Sequence, residues 1–222
     1  MPRGPRGRGH SVARDSVAAS MDGRIAVLVS GSGTNLQVLL DDPVIGPHIV
    51  LVLSDRPGVK ALDRAAARDV PTTVLGPEAY PDRDAYTEAV RDALRERDVD
   101  IAVNAGYMRV LGAAFADAFA GRWLNVHPAL LPAFPGGHAV RDALAWGAKV
   151  TGVTVHLVDE EVDHGPIVLQ EAVPVRDDDD WDSLEERIHA AEHRLLPRAV
   201  RALMEDRLTV DGRHVRIVEG ET

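Results

Sequence analysis

The sequence predicts an α/β protein, with a mostly parallel, twisted sheet and helices on both of its faces. From Arg24 onward, short aliphatic runs alternate with amphipathic helical patterns, which is typical of βα units. The first run, Ile25–Val29, contains no polar residue, as expected for a strand that helices cover on both faces. In a later run, residues 150–158, a mainly aliphatic set of side chains alternates with a set that includes Gly, Thr and His. This alternation favours a half-exposed strand.

In the first half of the chain, strands and helices follow one another closely. The first strand ends in a glycine-rich turn, and the apolar spacing from Leu36 onward predicts a helix. A second strand and helix, a short strand, a helix rich in charged residues and a third aliphatic strand come next. We place them at residues 48–53, 61–68, 72–75, 82–97 and 101–103.

The second half of the chain continues the pattern and ends in a hairpin. A helix, a buried strand, a short helix ending at Trp146, two strands and one long helix are predicted. The long helix carries an apolar stripe from Leu184 to Leu203. Asp211-Gly212 is a strong turn signal between the last two strands. The other elements are placed at residues 111–120, 123–126, 150–158 and 167–175.

The first twenty residues differ from the rest of the chain. They contain four arginines and one aspartate, with frequent Pro and Gly and no apolar period. We therefore expect residues 1–20 to be a disordered basic extension and residues 21–222 to form one domain. The extension resembles a transit segment weakly, and a translation start placed upstream of Met21 explains it equally simply.

Composition excludes several classes of function. The 222 residues carry a net charge of −10, which argues against a nucleic-acid-binding surface. No cysteine is present, so disulfides, cysteine-ligated metals and thiol catalysis are impossible. No apolar run reaches the length of a membrane span. We expect a soluble, cytoplasmic protein without nucleic-acid or membrane partners, and monomer and homodimer both stay open.

The loop after the first strand is a candidate anion site. Gly31 and Gly33 allow a ligand to approach the backbone, and the N–H groups of the following helix point toward it. Leu36 replaces the third glycine of a dinucleotide motif, which favours a monophosphate over NAD. Asp55 lies at the end of the second strand, where a dinucleotide-binding fold has the acid that binds the ribose, so this residue alone does not exclude NAD. The simpler alternative is a tight turn in which Asn35 caps the helix.

Two further segments carry candidate catalytic groups. Asn125 and His127 lie two residues apart, so their side chains share one face at the carboxyl end of a buried strand. An amide donor beside an imidazole can stabilise a developing oxyanion, although a lone histidine at a strand end is more often structural. Asp163, before a Gly-Pro turn, either caps that turn or orients His127. No histidine spacing is typical of a metal site, so we predict no metal.

In combination, these segments resemble a known family. The motifs occur in a fixed order: residues 30–37 (SGSGTNLQ), 105–111 (AGYMRVL), 125–132 (NVHPALLP) and 163–170 (DHGPIVLQ). This order and spacing resemble phosphoribosylglycinamide formyltransferase, a folate-dependent family of purine synthesis, over residues 24–218. The resemblance implies a Rossmann-like formyltransferase fold without NAD, and a catalytic domain at residues 21–222.

The resemblance also implies a reaction and its catalytic residues. The family transfers a formyl group from 10-formyltetrahydrofolate to the amine of 5'-phosphoribosylglycinamide. Asn125, His127 and Asp163 match its catalytic trio. By this resemblance Asn125 donates to the oxyanion, a protonated His127 assists and supplies a proton, and Asp163 raises the pKa of the imidazole.

Substrate contacts follow from the same resemblance. The ribonucleotide is expected at Gly33, Thr34, Asn35 and Glu192. The folate is expected at Arg83, Met108, Arg109, Val110, Leu111, Asn125, Asp159, Glu160 and Glu161. Ala129, Val140 and His189 depart from residues common in the family, and the roles of His138 and His189 stay open.

Three alternatives share part of this pattern. A formyltetrahydrofolate hydrolase has the same trio but carries a regulatory domain before the catalytic one. A methionyl-tRNA formyltransferase needs an RNA-binding domain after it, which an acidic chain ending soon after Val218 does not favour. A non-catalytic nucleotide-binding module would keep the glycine loop and lose the trio.

Overall fold

The computed structural model describes residues 23–218. The extension expected at residues 1–20 lies outside the described residues, as do residues 219–222. Nine strands form one sheet in the order β3-β2-β1-β4-β5-β6-β7-β9-β8. From β1 to β9 the strands are Ile25–Val29, Ile49–Ser54, Thr72–Val74, Ile101–Asn104, Trp123–His127, Val150–Leu157, Ile167–Pro174, Leu208–Asp211 and His214–Ile217.

The sheet is mostly parallel, as predicted. Strands β1 to β5 pair in parallel, whereas β6 runs antiparallel to both β5 and β7. Parallel strands place their carboxyl ends along one edge, so the segments after β1, β2, β4 and β5 meet there. In the antiparallel β5–β6 pair, Asn125 lies opposite His156 and His127 lies opposite Thr154. This register places His156, near the end of β6, beside Asn125 in the middle of β5.

Helices cover both faces of the sheet. On one face, α1, α2, α5 and α6 enclose the larger apolar core, and on the other α3 and α4 enclose a second core around Phe115 and Trp123. From α1 to α6 the helices are Thr34–Asp41, Lys60–Ala66, Arg83–Arg95, Ala113–Ala118, Ala139–Trp146 and Trp181–Met204. Short 3-10 turns at Gly46–His48 and Pro77–Ala79 were not predicted.

One predicted exposure pattern is wrong. Strand β6 was expected to be half-exposed, but every residue from Thr151 to Leu157 is buried. The alternating side chains of β6 do point to opposite faces, yet α6 covers one face and the loop before α5 covers the other. Thr154, for example, is buried because its hydroxyl donates to the Ala129 carbonyl and accepts from the Leu131 N–H. The polar residues of β6 therefore indicated buried hydrogen bonds and not exposure to solvent.

The long helix α6 connects the core to the glycine loop. It begins with a capping box in which Asp180 accepts from the Ser183 N–H, and it continues through Pro197. Its apolar stripe packs against β6 and β7, and α1 packs beside it. Glu192 lies on the part of α6 that faces α1. No described helix has both the length and the apolar character that crossing a membrane requires.

We expect Ile188→Ala to lower the free energy of unfolding by about 2–5 kcal/mol, because Ile188 lies in the centre of α6 and its removal leaves a cavity. Urea unfolding followed by circular dichroism measures this change. Glu186→Ala, at an exposed position of the same helix, is the matched control and should shift stability by less than about 0.5 kcal/mol. Equal shifts in the two variants would contradict the assigned packing of α6.

Candidate active site

A cleft of about 200 Å³ opens at the carboxyl edge of the sheet. Its walls are the ends of β4, β5 and β6, together with the loop that joins β6 to β7. Eight of the nine predicted folate residues line it. They are Met108, Arg109, Val110, Leu111, Asn125, Asp159, Glu160 and Glu161. The predicted catalytic residues His127 and Asp163 line the same cleft, so the structure brings these two sets together.

Asp163 holds the predicted trio together. One carboxylate oxygen, Oδ1, lies 3.2 Å from the Asn125 amide nitrogen, and the other, Oδ2, lies 3.3 Å from His127 Nδ1. Oδ2 also accepts a hydrogen bond of 2.7 Å from the Gly136 N–H. Burial alone would raise the pKa of Asp163, but the neighbouring His156, the hydrogen bond from the Gly136 N–H and the neighbouring His127 lower it further than burial raises it. Asp163 is therefore ionised at neutral pH.

Both ring nitrogens of His127 lie close to acceptors. Nδ1 faces Asp163, and Nε2 lies 2.8 Å from the Phe134 carbonyl oxygen. A neutral imidazole carries one proton, so only the doubly protonated ring donates to both acceptors. The geometry thus suits the cationic form, while the side chain is almost wholly buried.

Burial decides the protonation of His127. It lowers the pKa of the ring below its ordinary value, and this effect exceeds the opposing contributions of Asp163 and the Phe134 carbonyl. The sequence led us to expect a pKa raised by Asp163. The carboxylate does act in that direction, but the net shift is the reverse. In the ligand-free site His127 is therefore mostly neutral at pH 7.

His156 is a further member of this cluster that the sequence did not single out for the site. Its Nδ1 lies 2.9 Å from the Leu157 carbonyl oxygen and donates a hydrogen bond to it, which leaves Nε2 as an acceptor when the ring carries one proton. The Asn125 amide lies 3.1 Å from that Nε2 and donates to it. Both amide hydrogens of Asn125 are thus engaged, one by Asp163 and one by His156. Only the antiparallel pairing of β5 with β6 reveals this contact.

The glycine loop has the geometry expected of an anion site. Gly33 adopts a φ of +70°, and a Cβ atom at this position would lie 2.6 Å from that of Ala61. Behind the loop, the Ala61 N–H donates to the Gly31 carbonyl, and Arg64 donates to the Ser32 carbonyl at 2.9 Å. No side chain caps the first turn of α1, so its N–H groups stay available to a ligand.

Asn35 and Glu192 meet beside the glycine loop. The Asn35 amide donates to Glu192 Oε2 at 2.8 Å, although the two residues are 157 positions apart. The alternative in which Asn35 caps the helix is therefore wrong. Burial raises the pKa of Glu192, and the Asn35 hydrogen bond only partly opposes it. Asn35 Oδ1 is buried without a hydrogen-bond partner among the described residues, which is expected where a ligand completes the site.

Three other residues that the sequence analysis named lie outside the cleft wall, and only the first, Arg83, was predicted to contact the folate. Arg83 begins α3 on the surface, where it pairs with Asp84 and does not line the cleft. His138 is exposed at the start of α5, and His189 lies 4.0 Å from Glu192 on the side of the glycine loop. Within residues 23–218, no three His, Asp or Glu side chains are grouped so that they could hold a metal ion.

The chain is similar in sequence to known proteins. Residues 23–200 match the model of the formyl transferase family. Phosphoribosylglycinamide formyltransferase of Mycobacterium tuberculosis is 48% identical over 199 residues, which cover 89% of this chain and 92% of that protein. The trifunctional purine biosynthetic protein adenosine-3 of Drosophila melanogaster is 46% identical over 186 residues, which cover 82% of this chain but only 14% of that protein.

Solved structures have the same architecture. The crystal structure of glycinamide ribonucleotide transformylase 1 from Symbiobacterium toebii superposes with a TM-score of 0.87 at 45% identity, covering 94% of this chain and 100% of that chain. Phosphoribosylglycinamide formyltransferase from Bacillus halodurans superposes with a TM-score of 0.78 at 42% identity, covering 82% of this chain and 95% of that chain. The predicted fold class is confirmed by these structures.

We expect Asp163→Asn to lower the pKa of His127 still further, because the carboxylate opposes the effect of burial on the ring. A pH titration of the imidazole signals by NMR measures the pKa. Asp159→Asn is the matched control, since Asp159 contacts His164 and not His127. An unchanged or higher His127 pKa in Asp163→Asn would show that the carboxylate does not stabilise the cation.

Proposed function

The chain belongs to the formyl transferase family, and we propose that it transfers the formyl group of 10-formyltetrahydrofolate to the amine of 5'-phosphoribosylglycinamide. The products are 5'-phosphoribosyl-N-formylglycinamide and tetrahydrofolate, in the de novo synthesis of IMP. The names of the relatives, formyltransferases and a purine biosynthetic protein, support this reaction. The observation that carries it is the buried contact of Asp163 with His127 and Asn125 at the wall of the cleft.

In the proposed reaction, the amine nitrogen attacks the formyl carbon and the formyl oxygen becomes an oxyanion. A new bond joins the amine nitrogen to that carbon, and the bond from the carbon to N10 of the folate then breaks. The amine gives up one proton and N10 gains one, so the protein has two tasks. It stabilises the oxyanion, and it moves a proton.

His127 and Asn125 perform these tasks with the support of Asp163. A negative charge forming beside His127 favours the protonated ring and so opposes the effect of burial. Protonated His127 donates to the oxyanion once Nε2 releases the Phe134 carbonyl, and it supplies the proton for N10. Asn125 donates to the oxyanion with an amide hydrogen that bonds to Asp163 or His156 in the ligand-free site. Asp163 stabilises the cationic ring.

The phosphate of the ribonucleotide binds the loop of Gly33, Thr34 and Asn35. The N–H groups of the first turn of α1 and the dipole of the helix favour an anion there. Glu192 and the unpartnered Oδ1 of Asn35 accept hydrogen bonds from the rest of the ribonucleotide. This placement directs the amine toward His127.

The folate binds the cleft beside the trio. The backbone of Met108 to Leu111 contacts the pterin, and the loop containing Asp159, Glu160 and Glu161 closes over it. We retain Arg83 as a residue at the outer end of the folate, where its exposed side chain can meet a carboxylate in solution. No step of this mechanism uses a metal or NAD.

Three further attributes belong to the proposal. Residues 21–222 form one catalytic domain, the partners are the two small-molecule substrates, and the enzyme acts in the cytoplasm. The proposal leaves both a monomer and a homodimer open.

An absorbance assay tests the function. It measures the release of tetrahydrofolate from 10-formyltetrahydrofolate, with and without 5'-phosphoribosylglycinamide. We expect turnover only when the ribonucleotide is present. Equal turnover without it would indicate a hydrolase. No turnover in either case would indicate a non-catalytic nucleotide-binding module.

We expect His127→Ala to lower kcat by about 10²–10⁴-fold, because it removes the group that moves the proton. Steady-state kinetics measure kcat, and circular dichroism checks that the variant is folded. His214→Ala, at an exposed position of β9, is the control and should keep wild-type turnover. A folded His127→Ala variant with full activity would contradict the mechanism.

Asn35→Ala should raise KM for the ribonucleotide by roughly tenfold or more and leave KM for the folate unchanged, because it removes a buried hydrogen-bonding group of the phosphate loop. The two KM values are measured by varying each substrate in turn. Asp41→Asn changes an exposed residue of the same helix and serves as the control. An unchanged ribonucleotide KM in Asn35→Ala would contradict the assignment of the phosphate to this loop.

A further inference from the structure

Asp55 is a buried charge that the proposed mechanism does not use. Its side chain is wholly inaccessible to solvent, at the end of β2 and close to the cleft. Burial would raise the pKa of Asp55, but hydrogen bonds from Arg56, Ser30 and Arg109 lower it, so the carboxylate stays ionised. In a dinucleotide-binding fold an acid at this position would bind a ribose, but here arginine side chains occupy its oxygens.

Arg109 is the functional partner of Asp55. Its Nε donates to Asp55 Oδ2 at 2.7 Å, whereas Arg56 lies farther away, with both of its contacts at 3.3 Å. A bond to Nε fixes the plane of the guanidinium and leaves the Nη donors for another acceptor. Among the described residues that line the cleft, Arg109 is the only arginine or lysine, and the acidic loop lies in the same cleft.

A second contact holds the backbone of this segment. The Ser30 hydroxyl, which lowers the pKa of Asp55, accepts a hydrogen bond of 2.9 Å from the Met108 N–H. The main chain next to Arg109 is thus anchored independently, at Ser30. Ser30 is also the residue at which the glycine loop begins.

We propose that Asp55 is a positioning residue for the folate co-substrate, because it orients Arg109 toward the carboxylates of the glutamate portion. This inference rests on the proposed function, since it assigns the anionic ligand of the cleft to a folate. Asp55 contacts no substrate itself. Its effect on binding passes through Arg109.

Asp55→Asn tests the inference, because the amide keeps the size of the side chain and removes its charge. KM for 10-formyltetrahydrofolate should rise roughly tenfold or more, as the loss of a charge-assisted hydrogen bond implies, while KM for the ribonucleotide stays within about twofold. Arg56→Met is the matched control, since it removes the other ion pair of Asp55 but does not touch the cleft. Its folate KM should equal that of the wild type.

A double-mutant cycle with Arg109→Met separates positioning from a general loss of structure. If Asp55 acts through Arg109, Asp55→Asn adds little to the folate KM once Arg109 is Met. Additive effects in Asp55→Asn/Arg109→Met, or an unchanged folate KM in Asp55→Asn, would overturn the inference.

The binding of tetrahydrofolate, measured by calorimetry, distinguishes this inference from the proposed function. Weaker binding by Asp55→Asn than by Arg56→Met supports the positioning role and does not depend on turnover. If Asp55→Asn unfolds, Asp55→Glu, which keeps the charge but displaces it, should show the same selective loss of folate binding. Wild-type protein that binds tetrahydrofolate without turning over would contradict the proposed function alone.

Discussion

The Asp163 carboxylate is the constraint on which the site depends. It receives hydrogen bonds from the Asn125 amide and the Gly136 backbone, and it lies 3.3 Å from the His127 ring. These partners come from β5 and from the loop before α5, while Asp163 itself follows β6. The contact therefore holds together three separate segments of the chain. Because Asp163 is ionised and largely buried, loss of any one partner would leave an inadequately solvated charge.

The two halves of the site depend on opposite faces of the sheet. The glycine loop and Glu192 belong to the face that α1 and α6 cover, whereas Tyr107 and Leu111 of the folate segment pack into the smaller core with α3 and α4. Both halves meet at the carboxyl ends of the strands. A parallel sheet with helices on each face thus supplies two binding surfaces with one catalytic group between them.

The motifs near strand ends were predictable, and their contacts were not. The residue types made Asn125, His127 and Asp163 candidates, and the resemblance to the family identified them as a catalytic trio. The sequence did not indicate His156, whose side chain meets Asn125 only through the register of β5 and β6. Arg83 was expected at the folate on the strength of a resemblance, yet its side chain lies on the surface outside the cleft wall.

The amino-acid sequence suffices for the order of the elements, the mostly parallel sheet and the positions of the chemical groups. These properties follow from local periodicity and from residue types at strand ends, which a single chain displays directly. The tertiary structure alone decided which groups touch and in what state of charge. Burial is set by residues distant in sequence, and for His127 it outweighs the carboxylate beside it, so the pKa is lowered.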